Sequence, residues 1–507
     1  MADVVVIGAG HNSLISAAYL AAAGLEVLVL EECDVVGGNT VTEELTLPGF
    51  AHDSCASAHV LLQTNPLIRD DELGLLANGL RYEYTDPAVV VTSAEGDPIV
   101  MRRDRAATVK ELARWSAKDG DAYAQLLDDW QNGLRASHAR WNAGTLDQDR
   151  WAHDARYEAT RRRTALDVIN ERFEHPRVRD FVAWLAFLTI QPLDRPGTGI
   201  LPFATTGGRE QFGWATPVGG SIALPNALAR YIEAHGGRVL TGQHVTTIIV
   251  EGGRAAAVRT ASGERFDAHR AVLSSAHLTQ VAGMLEGCAV PSALTSAQDA
   301  WRPGLTLFAV HLALRGQLRY RTGDGELPSV AGGAGSASGL LAQLQAFRRG
   351  ETYVEDPWLL IVCSTIVDAA RAPDGQGTAK LLTIAPYDAD WTTERDRYAA
   401  ALVELAASRV DGMSDADILA VVAEGPPDLE RRNRHNVGGS CHGGEMLGSN
   451  GETLVGWPDH RLPVPGLYQT GSTTHPGGSV AGRAGRNAAR VLLSGLGIDW
   501  TRVMGPD

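Results

Sequence analysis

Residues 4–7 are all apolar and run directly into Gly8. A strand hydrophobic on both faces is one covered from both sides, so this run predicts a buried parallel strand ending in a turn. The periodicity becomes helical from about Asn12 and stops at Gly24, and a second strand over 26–31 ends at Glu31. From about 76 to 214 the pattern changes: Trp115, Trp130, Trp141 and Trp151 stand among Arg, Asp and Ala at helical spacing, with few β-branched runs. This predicts a mainly helical insertion between residues 106 and 188, its aromatic residues in the core, closed by the Pro/Gly-rich stretch 191–208. Beyond it, a Gly-Gly turn within 216–225 precedes a helix over 226–234 and a strand over 238–240. Short strands follow at 245–250, 255–259 and 265–267, then a buried strand at 271–276 that would return the chain to the first sheet. Longer strands such as 305–314 and 358–364, with a helix over 397–409, read as a mixed sheet with covering helices and a pocket wall.

The turn after the first strand suits a phosphate. Gly8 permits the tight bend, Gly10 lets the backbone approach a pyrophosphate, and the helix near Asn12 points its unpaired N–H groups at that anion. Ser13 takes the third small position, where glycine is usual. Glu31 stands twenty-one residues after Gly10, where a carboxylate can accept hydrogen bonds from ribose hydroxyls. Strand, helix, second strand and terminal acid in this order predict a dinucleotide site. Gly37 and Gly38, followed by Asn39 and Thr40, suggest a second close approach of backbone to the same ligand. A glycine-rich segment over 467–482, followed by a helix over 483–493, aims further N–H groups at its far end. Residues 333–338 imitate a second dinucleotide motif and are set aside, because no buried strand precedes them and no strand-terminal acid follows at the right distance.

At 507 residues the chain exceeds one ordinary core, and two intertwined domains are expected. Its net charge of −15 argues against nucleic acid as partner. Arg161, Arg162 and Arg163 read as a solvated helix face. Five scattered cysteines without a Cys-x-x-Cys pair fit reduced thiols of a cytoplasmic protein. The start of the chain enters a strand at once, which leaves no room for a signal peptide, and the most apolar helical stretch, 181–190, is about half a bilayer span. Spanning is excluded on this reading, whereas peripheral membrane contact is left open. None of the histidine spacings, fifteen residues in all, is ligand-like with a third partner nearby, so no metal is expected.

The glycine pattern at 8–14, the stretch from Gly37 through Asp53, Pro217 to Gly220, 427–433 with Gly438 and Gly439, and 471–487 together resemble the phytoene-desaturase-like FAD-dependent oxidoreductases. That family includes carotenoid isomerases and retinol saturases and, more distantly, amine oxidases. The resemblance implies an α/β fold: a Rossmann-type FAD-binding domain from 1–75, 215–290 and 425–507, with an interleaved substrate domain of mixed sheet plus helices from 76–214 and 291–424. It implies that Gly8, Gly10, Asn12, Ser13, Gly37, Gly38, Asn39 and Thr40 surround the diphosphate, Glu31 the adenosine ribose and Val245 the adenine. Gly471 would approach the diphosphate and ribityl chain, and Gly478, Ser479 and Val480 the flavin pyrimidine edge, where a helix start would stabilise the reduced flavin. Asn39 and Thr40 replace the arginine that many relatives carry after Gly-Gly, so the group that offsets the diphosphate charge stays open.

FAD would carry the electrons, leaving the protein to hold a C–H bond over flavin N5. A base would help if a proton also leaves, and histidine suits that role. His442 is the candidate facing substrate; His475 would serve there or brace the flavin loop, and His59 would serve there or be a satisfied core histidine. The expected activity is a dehydrogenase or desaturase acting on a largely apolar small molecule, with oxygen or a quinone as electron acceptor. Its rivals are an amine or alcohol oxidase, a redox-neutral isomerase or saturase, and a flavoprotein without turnover.

Overall fold

The computed structural model describes residues 2–94, 96–143, 154–323, 325–445 and 460–505; Trp151 lies outside them. Strand Ala2–Ile7 pairs in parallel with Val27–Leu30 on one side and with the last residues of Arg265–Ser274 on the other. Arg238–Leu240 and Leu467–Gln469 extend this parallel sheet at its two edges. The all-apolar run now has its reason. Val4 and Val6 face a layer made by helices His11–Ala22, Ala223–Ala234 and Arg483–Gly495, while Val5 and Ile7 face a layer that includes Ile248 and Val258. Each such side chain contributes about 1.5–3 kcal/mol of burial.

The two strands expected at 265–267 and 271–276 are one strand, Arg265–Ser274. Its first residues pair antiparallel with Arg254–Thr260, which forms a hairpin with Val245–Glu251, and its last residues enter the parallel sheet. His269 and Arg270 looked like a break, but they sit where the strand passes between sheets, and the Arg254 guanidinium donates to both of their carbonyls at 2.9 and 2.5 Å.

A second sheet runs in the order Ile418–Glu424, Leu307–Leu314, Gly377–Ile384, Leu359–Val362, Ala331–Ala334, Val89–Val91, Ile99–Met101. Helices of the 105–212 region pack on it through one core. There the Trp184 indole donates to Leu359 O and the Trp358 indole to Trp184 O, each at 3.2 Å. The stretch 191–208 is not all loop: helix Leu201–Phe212 begins inside it. Pro202 falls in its first turn, where no N–H is needed, and Gly207 is required because the Trp130 ring occupies the place of a Cβ.

Residues 333–338 also differ from expectation, since Ala331–Ala334 is a buried strand and Ser336 caps helix Ala337–Arg348. The start of that helix is filled by the chain's own carboxylates: Asp180 accepts from the Ala337 N–H at 2.8 Å and Asp356 from the Ser336 N–H at 3.2 Å. A phosphate has no place there. Among the described residues no helix is long and apolar enough to cross a membrane.

Candidate cofactor and substrate site

A cavity of about 650 Å³ is walled by the loops after the parallel strands and by the second sheet. All fourteen cofactor-binding residues named from the sequence line it. Gly8 has φ +84°, and a Cβ there would strike Ser275 Oγ. Gly10 faces open space on its Cβ side, and the Gly37–Gly38 turn rests on it, tied by Gly37 N–H donating to Ala9 O at 2.9 Å. No side chain caps the start of helix His11–Ala22, and Ser13 Oγ is buried without a partner. An uncapped helix start, an unpaired hydroxyl and an open glycine face are what a diphosphate would satisfy.

Glu31 is held with Oε2 accepting from Ala9 N–H at 2.6 Å and Oε1 from Cys33 N–H at 3.0 Å. Burial raises its pKa, against the pull of those two donors. Val245 follows in the wall with its neighbours Gln243, His244 and Thr246.

Asn39 and Thr40 are committed to structural bonds. Asn39 Oδ1 accepts from Asn433 at 3.0 Å and Asn436 at 3.1 Å, and Thr40 Oγ1 pairs with His11 Nδ1 at 2.9 Å. The segment that crosses this turn brings two arginines into the cavity wall, but both are paired there: Arg432 with Glu43 and Glu424, and Arg434 with Glu32 at 3.0 Å. Gly471 and the turn Gly478, Ser479 and Val480 line the wall as well. In helix Arg483–Gly495 the N–H of Gly485 is taken by Asn12 Oδ1 at 3.1 Å.

The three histidines separate. His442 lines the cavity, Nε2 buried and unpartnered, its pKa lowered to about 4 by burial. His59 lies outside the wall, both ring nitrogens bonded, to Tyr82 at 3.1 Å and Ser221 at 3.2 Å. His475 is also outside it, bonded to Trp141 O at 2.6 Å and edge-on to the Trp141 ring. Neither is placed to meet a substrate.

Several lining residues were not named from the sequence. His11 sits within the glycine motif itself, and His435, which bonds Ser275 O at 2.9 Å and Ser472 Oγ at 2.6 Å, follows the 427–433 phrase; both positions could have pointed to them. Cys55 and Cys441 meet in the wall, where the Cys441 thiol and the buried Lys380 ammonium lower the Cys55 pKa; Lys380 also donates to Cys55 O and Asp53 O. Away from the glycine turns the lining is largely apolar, with Leu188, Ile190, Leu307, Trp358, Leu360 and Leu382, and carries no carboxylate, though Arg209 and Thr205 also line it.

A parallel sheet with a dinucleotide turn, interleaved with a second sheet that supplies much of the cavity wall, defines a flavoprotein oxidoreductase. The chain belongs to the family of flavin-containing amine oxidoreductases, whose family model matches residues 14–493. Its cofactor is FAD. A mouse protein, pyridine nucleotide-disulfide oxidoreductase domain-containing protein 2, is 27% identical over 97% of this chain and 94% of its own length. One of the subunits of limonene dehydrogenase from Castellaniella defragrans is 26% identical, covering 98% and 96%. In fold the chain is similar to a double mutant of putrescine oxidase (TM-score 0.63, 18% identity, 98% of this chain and 99% of that one). It is also similar to cyclohexylamine oxidase from Brevibacterium oxydans (TM-score 0.58, 19% identity, 98% and 99%).

Proposed function

We propose that this oxidoreductase is a dehydrogenase that removes a hydride and a proton from adjacent carbons of a largely apolar small molecule, leaving a double bond. The observation that carries this reading is the division of the cavity wall. Its acidic residues, Glu31, Glu32 and Glu43, stand with the glycine turns, whereas Leu188, Ile190, Leu307, Trp358, Leu360 and Leu382 offer no carboxylate to an ammonium group. The similarity to a limonene dehydrogenase subunit agrees with it.

FAD, when bound, supplies the hydride acceptor. The chain's own residues do the rest. The apolar wall excludes water and orients the substrate by shape. His442, kept neutral by burial and with Nε2 free, is available to take the proton.

Anaerobic mixing of the purified holoprotein with candidate substrates tests this directly. Bleaching of the flavin by apolar alkene precursors or cyclic ketones, with formation of the unsaturated product, is the expected result. Bleaching by amines alone would replace this reading with the oxidase one.

A further inference from the structure

The guanidinium of Arg209 has no counter-ion among the described residues. It leaves helix Leu201–Phe212 one turn after Thr205 and lies over the Trp214 ring, 4.4 Å from its centroid, and Arg209, Thr205 and Trp214 all line the cavity. The neighbouring carboxylate, Glu210, is taken by Arg105 at 2.6 Å. Arg209 Nε and Trp214 Nε1 are both buried donors without an acceptor.

Burial lowers the Arg209 pKa to about 9, with no acid opposing the shift, so the group is still charged at neutral pH. Arg209 is half-buried, with Nε shut off from water and facing no acceptor, and a buried donor left without an acceptor is costly, as is the Trp214 N–H. Both are relieved at once by an anion in the cavity. Stacking on the indole covers one face of the guanidinium and leaves its edge N–H groups free, the geometry that takes the two oxygens of a carboxylate. The cavity's other arginines, Arg432 and Arg434, are already paired with Glu43, Glu424 and Glu32 at the glycine-turn end. The unpaired charge of Arg209 therefore matches a monoanion.

We infer that Arg209 and Trp214 form a carboxylate subsite, so that the molecule held in this cavity is an acid with an apolar body. This rests on the dehydrogenase reading for the reaction but not for the binding, and the two are separable by experiment.

Calorimetric titration of the holoprotein with decanoate, decanol and decylamine compares three probes of one apolar body. Decanoate is expected to bind about tenfold more tightly than decanol, the worth of one charge-assisted hydrogen-bonded pair. Arg209→Met should abolish that preference while leaving decanol affinity unchanged, and Trp214→Phe, which keeps the stack but loses the N–H, should reduce it. Because an unpaired charge is removed, Arg209→Met should melt no lower than the wild type; if it does not fold, Arg209→Lys keeps the charge without the fork and should weaken the preference. Equal binding of decanoate and decanol, tightest binding of decylamine, or a preference that survives Arg209→Met would overturn the subsite. Flavin bleaching is read separately: an Arg209-dependent acid preference without bleaching by any apolar compound leaves the subsite standing and removes the dehydrogenase, and bleaching with no acid preference does the reverse.

Discussion

Asn12 Oδ1 accepts a hydrogen bond from the backbone N–H of Gly485 at 3.1 Å, and Ser16 Oγ donates to the Gly485 carbonyl at 2.8 Å. The first helix thus grips one residue of the last long helix by both of its backbone groups. A Cβ on Gly485 would run into the Asn12 carbonyl and come within 2.9 Å of Ile15 Cβ. Gly485→Ala should cost about 1–3 kcal/mol. The measurements are a lower Tm and easier release of FAD on dilution, since the turn at 478–480 precedes the displaced helix.

Asp53 is a buried hub. It pairs with Arg371 at 2.9 Å and accepts from Ser221 N–H at 2.9 Å and the Thr42 hydroxyl at 2.7 Å. Burial alone would raise its pKa, but Arg371 and the two donors hold it below the usual carboxylate value. A lower pKa folded than unfolded means stability that is present above about pH 4 and lost as the pH falls through the folded value. Asp53→Asn leaves Arg371 buried and uncompensated, an expected loss of about 3–5 kcal/mol at neutral pH. Denaturant titration should show the gap between variant and wild type narrowing as the pH is lowered past 4.

His442→Gln keeps a polar side chain but no proton acceptor, and should slow anaerobic flavin reduction about a hundredfold or more. Because burial puts the His442 pKa at about 4, the reduction rate should be flat between neutrality and pH 5 and fall only near that value. An acid limb centred near 6.5, the ordinary histidine value, would assign the base elsewhere.

Cys55 should be the wall thiol that ionises first. The hydrogen bond from Cys441 and the Lys380 ammonium favour its thiolate, while Cys441 is pushed up by the same pairing. Iodoacetamide labelling of the apoprotein, read by mass spectrometry, should reach its plateau at Cys55 below about pH 8.5, the ordinary thiol value, with Cys441 labelled later. Lys380→Met should move the Cys55 midpoint upward.

The cofactor half of the cavity was legible because its requirements are local. An apolar run, a glycine that must adopt φ +84° and an acid at a fixed distance lie within thirty-one residues, and the structure assembles them as spaced. Side-chain direction was not legible. His442 and His475 sit in comparable glycine-rich surroundings and His59 follows the Pro48–Phe50 phrase, yet of the three only His442 reaches the cavity, because Tyr82, Ser221 and Trp141 capture the other two rings. Arg209 was hidden for a related reason. Pro202, Gly207 and Gly208 read as breakers, but Pro202 falls in the first turn, and Gly207 makes room for the Trp130 ring, which arrives from more than seventy residues away.

The parallel sheet draws its neighbours from the beginning, middle and end of the chain: Ala2–Ile7, then Arg265–Ser274, then Leu467–Gln469. On the ribosome, the first strand pairs early with Val27–Leu30 but waits for more than half of the sequence before its other edge is paired, and the glycine turn waits longer still for residues 478–480 to close the cleft. Such distant pairings are slow to form and leave apolar strands exposed in the meantime. Since FAD binds the finished cleft and not the waiting strands, it draws the last step forward by mass action. Flavin supply during synthesis becomes a determinant of how much of this protein reaches its native state.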